Sequence, residues 1–406
     1  MGSVKSELLL SLVNRAIQPA ATYITLVGLG RILPIEEFNN YLISITVAMW
    51  AISSLFQWQK NATIRFFDHS DKDLTLYASS AAVSAIIAIL AISIANFLDP
   101  RVSLSTTLFI ITTGLTYILG ALLRSLGKTN TFLITDTLLG TLKWAFGIFF
   151  AFLFLSNNAT FIALAIGAAA LAVALYIPLY KQGYSIRVPS INDIKNAKGL
   201  FYFGMYLIII DFCGSGLMYI DRFWIKESAL SANYIISSNI GNQIASVILG
   251  AFLMVAYPRI SKSYKDNTNW QATYRLYLKK FPLCALACCV ISFIASPILI
   301  GFINHSPNTS PYLAVSFTAA QCAYYLVALL SIPYFITLKP IYPAIFNGTT
   351  FLLFAGVGFC FFSDTTNPIY ITATKITLTL ILAFFSWLFF SLNFHTAKIA
   401  TTTINE

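Results

Sequence analysis

Four charged side chains stand inside long apolar runs of this sequence: Arg15, Lys143, Asp211 and Lys375. An ionisable group in apolar surroundings is costly and marks a partner or a polar cavity. Arginine presents a planar fork of donors that suits a phosphate or diphosphate, and lysine acts as a point charge. A lone carboxylate can bind and release a proton. Arg31 and the Asp221-Arg222 pair stand at the ends of such runs. The cations Arg15, Arg31, Lys143, Arg222 and Lys375 are therefore candidates for holding an anionic group, and Asp211 and Asp221 for ion coupling. Each has a plainer reading. Arg15 and Lys375 lie near run ends and can reach toward the membrane surface. Asp211 can pair permanently with Lys143 or Arg15, and Asp221 and Arg222 can pair with charges at the interface.

The elements that position these groups follow from composition. Apolar residues make up 58% of 406 and charged residues 10%, against roughly 45–50% and 25% in soluble domains. The mean hydropathy is +0.76. A helix needs about 20 apolar residues to cross the hydrocarbon core, so the apolar inventory makes about twelve spans with little left over. The runs fall at 8–33, 39–58, 74–98, 104–123, 131–155, 159–180, 200–220, 233–257, 281–303, 311–337, 341–362 and 368–393. The expected fold class is an all-α integral membrane protein in two six-helix lobes: residues 1–180, a connector at 181–199, and residues 200–406. The first run is too long for a signal-peptide core and reads as a true span.

The Lys and Arg distribution sets the orientation. With a cytoplasmic N-terminus, eighteen basic residues fall on the cytoplasmic side and four (Arg31, Arg101, Arg222, Lys226) on the other. Both termini are then cytoplasmic, and the net charge of +10 reflects topology, not nucleic-acid binding. The segment 261–280 places Trp270, Tyr274 and Tyr277 at helical spacing among cations. It reads either as a helix lying in the headgroup region or as a connector anchored by interface aromatics. The outer loops are too short to hold the acceptor of a polymerase or ligase. There is no GxxxxGK[ST] loop, no HExxH and no Asp-rich run for Mg²⁺, so neither an enzyme nor a cofactor or metal is expected. All six cysteines lie in apolar runs as small hydrophobes, with no disulfide framework.

The two halves resemble each other. Arg31, Tyr41 and Arg65 are matched by Arg222, Tyr234 and Arg259, at offsets of 191, 193 and 194. Same-sense duplication of six spans suits a transporter that rocks two bundles. The first span carries Pro19 and the seventh Gly214 and Gly216, which weaken a helix and mark candidate hinges.

The stretches GLGRILPIEEFNNYLI, MYIDRFWIKESALSANYII and VAYPRISK resemble the Wzx-type O-antigen flippases of the multidrug/oligosaccharidyl-lipid/polysaccharide (MOP) exporter superfamily. The turn before the Tyr commonly carries Gly in that family; Asn39-Asn40 and Asn233 stand there in this sequence. The resemblance implies a multi-pass protein of the bacterial inner membrane that moves an undecaprenyl-diphosphate-linked oligosaccharide between leaflets by alternating access. It also implies a cationic cavity and, as partners, a polysaccharide polymerase and a chain-length regulator. Lipid II flippases of the superfamily usually have fourteen spans, against about twelve in this chain. The rival readings are a drug or organic-cation antiporter of the same superfamily and a membrane enzyme of polysaccharide assembly.

Overall fold

The computed structural model describes residues 2–67, 72–187, 190, 198–225, 228–265, 269–303, 311–336, 341–362 and 368–402, with side chains from Ala16 to Leu388 apart from some positions between. Twelve helices follow one another: α1 (Gly2–Ile32), α2 (Ile35–Phe66), α3 (Thr75–Leu98), α4 (Thr106–Ser125), α5 (Thr129–Phe154), α6 (Asn157–Tyr180), α7 (Lys198–Tyr219), α8 (Ser228–Lys265), α9 (Trp270–Gly301), α10 (Pro311–Ile336), α11 (Ile341–Phe361) and α12 (Pro368–Thr402). Among the described residues, eleven stretches, one in each of α2 to α12, are long and apolar enough to cross a membrane. A backbone surrounded by lipid must satisfy its own hydrogen bonds, and a continuous helix does so. The lipid-facing sides are plain on α3, where Ile86, Leu90, Ile94 and Phe97 are exposed while Ala81, Ser84, Ala88 and Ile92 are buried.

Two compact units divide the chain: Met1–Ile235 with Gly301–Pro307, and Ile236–Ile300 with Asn308–Glu406. In the first, α2 packs against α4, α7 and α3, while α6 packs against α4 and α5, and α1 against α5. Helix α7 follows the connector, yet it lies with the first unit. Trp50 Nε1 donates to the Phe212 carbonyl at 2.9 Å, and Gly204 lies against the Trp58 ring. In the second unit α8, α9 and α10 share a core of Leu249, Ile260, Tyr277, Phe281 and Leu329, and α12 packs on α10 and α11. Gly241 of α8 lets the α10 backbone come close: a Cβ there would strike the Ala314 carbonyl and lie 2.9 Å from Thr318 N. Small residues allow this approach where lipid supplies no hydrophobic drive between helices.

Segment 261–280 is not a separate interfacial helix. Helix α8 continues to Lys265, and α9 begins at Trp270 and runs without interruption into its span. Tyr274 and Tyr277 are buried in the protein core, in phase with Phe281 and Cys288 on the same stripe, while Arg275, Lys279 and Lys280 are exposed. The aromatics therefore cover α8 and α10 in place of lipid; Arg259 Nη1 donates to Tyr277 Oη at 3.3 Å. Helix α1 runs through Pro19, and α7 runs through Gly214 and Gly216 before ending in a 3-10 turn, Ile220–Phe223. Neither helix is broken in this conformation.

The start of the connector folds back on the turn before α3. Leu74 N donates to Ser185 O at 2.9 Å and Ser185 N to Lys72 O at 3.0 Å, the Lys72 amine lies 4.1 Å from the Tyr184 ring centre, and Arg187 pairs with Asp73. The Arg187 hydrogen bond, helped by donors from Thr75, pulls the Asp73 carboxyl down to about 2. A lowered carboxyl contributes stability above its unfolded value of 3.8 and loses it as pH falls through the folded value. The Asp73 carboxyl resonance should therefore titrate near pH 2, and Arg187→Ala should return it toward 3.8. An unchanged titration in that variant would refute the latch.

Candidate functional site

Lys143 sits midway along α5. Its amine lies 5.3 Å from the Trp144 ring centre and 5.9 Å from that of Phe109 on α4, where ring faces stabilise a cation. Gly167 of α6 packs directly on the Lys143 Cα and Cβ, so α5 and α6 close around its root. The acid whose field reaches the amine is Asp136, seven residues earlier on the same helix and therefore about two turns, or roughly 10 Å, away along the axis. Asp136 has further partners: its field also reaches Arg124 and Tyr117 of α4, and Gln18 of α1 donates to its carbonyl at 2.9 Å. Arg124 donates from Nε to Gly120 O at 3.1 Å and lies 4.8 Å from the Phe132 ring centre.

Asp211 lies midway along α7. Its Oδ2 is shut off from solvent and has no hydrogen-bond partner, and the cation whose field reaches it is Lys60 of α2. The expected alternatives were pairing with Lys143 or Arg15; Lys143 faces Asp136, and the Arg15 side chain lies outside the described residues. Lys60 is part of α2, with its amine 3.4 Å from Gln57 Oε1 and 5.9 Å from the Tyr117 ring centre. Lys60, Tyr117 and Asp136 thus link α2, α4 and α5 into one polar interior.

Asp221 and Arg222 are 0% and 1% exposed. Tyr234 donates to Asp221 Oδ2 at 2.7 Å, Arg222 Nη1 donates to Thr46 Oγ1 at 2.6 Å, and the guanidinium lies 4.9 Å from the Tyr219 ring centre. They are sealed inside the protein. The internal repeat is followed in its tyrosines, both buried, but not in its arginines. Arg31 is exposed and donates to the Phe302 carbonyl at 3.0 Å. Lys375, in the second unit, is 5% exposed, with its amine 5.6 Å and 5.9 Å from the ring centres of Phe317 and Phe354. Of the candidate cations whose side chains are described, Lys143, Arg222 and Arg31 belong to the first unit, where Arg222 is enclosed and Arg31 exposed, and Lys375 belongs to the second.

Asp136 and Lys60 are the residues that sequence reasoning missed. The signal for Asp136 was its spacing of seven from Lys143, which puts both near one face of a helix. For Lys60 it was the run of polar and aromatic residues at Gln57, Trp58 and Gln59, which lengthens α2 beyond its apolar stretch.

No known family's sequence pattern matches the chain, and no curated protein sequence does. Solved structures do. The lipid II flippase MurJ in its inward closed conformation is 16% identical, with a TM-score of 0.69 over 95% of this chain and 87% of that one. A MOP superfamily transporter from Pyrococcus furiosus, described as having a binding pocket of reversed polarity, is 12% identical, with a TM-score of 0.65 over 97% and 96%. An inward-facing multidrug resistance MATE family transporter of the MOP superfamily is 14% identical, with a TM-score of 0.64 over 95% and 99%. At these identities the likeness concerns the path of the backbone, and it extends over nearly the whole chain: this protein has the fold of the MATE and MOP superfamily transporters.

Proposed function

We propose that the protein is a flippase of the bacterial inner membrane, with both termini cytoplasmic, that moves an undecaprenyl-diphosphate-linked oligosaccharide to the outer leaflet by alternating access. The observation that carries this reading is Lys143: an amine held at mid-helix near two aromatic rings, with Asp136, the acid whose field reaches it, about two turns away along the helix, is poised to accept a phosphate. In the second unit the Lys375 amine is likewise held near two aromatic rings, those of Phe317 and Phe354. The diphosphate is drawn inward by Arg15 and Lys143 and outward by Arg31 and Lys375, Arg222 being enclosed beside Asp221 as part of the scaffold, and a polysaccharide polymerase and chain-length regulator receive the product. Asp211, with one carboxylate oxygen unpartnered, is the coupling site. Asp221 is a second coupling candidate, and Pro19, Gly214 and Gly216 are the points where α1 and α7 bend during the cycle.

The acids Asp136 and Asp211 favour a second reading, an organic-cation antiporter, because buried carboxylates stabilise cations. Proteoliposomes separate the two. Transfer of a labelled undecaprenyl-diphosphate oligosaccharide between leaflets supports the flippase; uptake of an organic cation without lipid transfer sinks it. An imposed pH gradient should accelerate transfer by the native protein. Asp211→Asn should keep the gradient-free rate and lose the acceleration; a variant that still responds to the gradient removes Asp211 from coupling.

A further inference from the structure

Helix α9 of the second unit carries a charge pattern that the transport reading leaves unused. Tyr274, Tyr277, Phe281 and Cys288 form its buried stripe, and the other side of the helix is exposed. Arg275, Lys279 and Lys280 stand at one end of that exposed side, and Leu283, Leu286, Val290 and Ile294 continue it. A helix turns by about 100° per residue, which puts Arg275, Lys279 and the four apolar residues within about 100° of one another and Lys280 about 40° further round. One strip of surface therefore begins in cations and continues in branched alkyl groups. From Phe281 to Gly301 the helix has no charged residue and is roughly 30 Å long, the thickness of the hydrocarbon core. Arg275 lies about 9 Å before Phe281 along the axis, so the three cations fall across the headgroup layer.

The protein's helices do not neutralise this end of the strip. None of α8 to α12 carries an Asp or Glu, and the nearest acid along the chain, Asp266, precedes Arg275 by nine positions. Among the described residues Arg275, Lys279 and Lys280 form no ion pair. Cations of the first unit are engaged: Lys72 on the Tyr184 ring, Arg124 on the Gly120 carbonyl and Arg187 on Asp73. We infer that this strip of α9 is a binding site for an anionic glycerophospholipid. Its phosphate sits on the cation cluster, where Arg275 forks onto two oxygens and the lysines add point charge, and one acyl chain lies along Leu283, Leu286, Val290 and Ile294. A zwitterionic lipid brings its own cation to the cluster and is held less well.

The test titrates the full chain in detergent with phosphatidylglycerol or phosphatidylcholine of the same acyl chains and reads the bound lipid by native mass spectrometry. The first phosphatidylglycerol should bind roughly tenfold to 100-fold more tightly than the first phosphatidylcholine. The triple variant Arg275→Gln, Lys279→Gln, Lys280→Gln should bind the two equally at an unchanged melting temperature, because all three side chains are exposed, and each single variant should lose part of the preference. Lys128→Gln with Lys181→Gln, two exposed cations of the first unit, should keep it. Equal affinity of the native protein for the two lipids, or a preference that survives the triple variant, overturns the inference. Displacement of the lipid by sn-glycerol 3-phosphate at a similar concentration also overturns it, since the apolar strip would then contribute nothing. So does tighter binding of undecaprenyl diphosphate that the triple variant abolishes, which would make the strip a cargo contact. No leaflet transfer is measured, so failure of the flippase reading leaves this result standing.

Discussion

Lys143→Ala is expected to abolish surface polysaccharide while leaving the protein in the membrane at its normal level. The separation of these two outcomes follows from how the residue is packed. Gly167 of α6 contacts the Lys143 Cα and Cβ, and alanine keeps both atoms, so the α5–α6 contact survives. What is lost is the stem and the amine between Phe109 and Trp144. Asp136 is not left as an isolated charge, because Arg124 remains within its field. A charged hydrogen bond to a phosphate is worth about 1.5–3 kcal/mol, and its loss corresponds to roughly a tenfold to 150-fold slower leaflet transfer. Lys143→Arg should recover part of the rate, since it restores the charge with a different donor geometry. Normal polysaccharide from Lys143→Ala would end the case for this amine as a cargo contact.

Arg222→Ala should fail differently, by loss of the folded protein. Arg222 is 1% exposed and bonded to Thr46 of α2, and Asp221 beside it is 0% exposed with a hydrogen bond from Tyr234. Removing the guanidinium leaves the Asp221 carboxylate buried with its compensating charge gone, a change that costs about 3–5 kcal/mol. Membrane abundance and the detergent melting temperature should both fall. The double variant Asp221→Asn with Arg222→Met removes both charges together and should recover much of that loss, because the two residues act as a unit. If Arg222→Ala is as abundant and as heat-stable as the native protein but inactive, Arg222 belongs with the cargo contacts and not with the scaffold.

The contrast between these two arginine and lysine positions marks how far one-dimensional reasoning reached. The all-helical membrane fold and its twelve helices were legible because the requirement that sets them is local: each span must be about 20 apolar residues long and must satisfy its own backbone. The depth of Lys143 and Asp211 within their helices was legible for the same reason. The Arg31 and Arg222 positions looked equivalent in the repeat, yet one is exposed and the other sealed by α2. Trp270, Tyr274 and Tyr277 had the spacing of an amphipathic helix, but spacing does not say whether the apolar face meets lipid or protein. Tyr274 and Tyr277 meet α8 and α10.

Partner choice was decided only by tertiary structure. A helix turns its side chains by about 100° per residue, so which neighbour an interior charge faces depends on how each helix is rotated and which helix packs beside it. Asp211 is opposite Lys60 because α7 packs on α2, although 151 positions separate the two residues in the chain. Lys143 and Asp136 share one helix and could have been matched from sequence, whereas Thr318 and Ser292 meet only because α10 packs on α9. Sequence alone thus established that this chain spans a membrane many times and carries charges inside it. Whether each charge is compensated, enclosed or available to a ligand is set by lateral contacts between helices, which hydropathy and spacing do not encode.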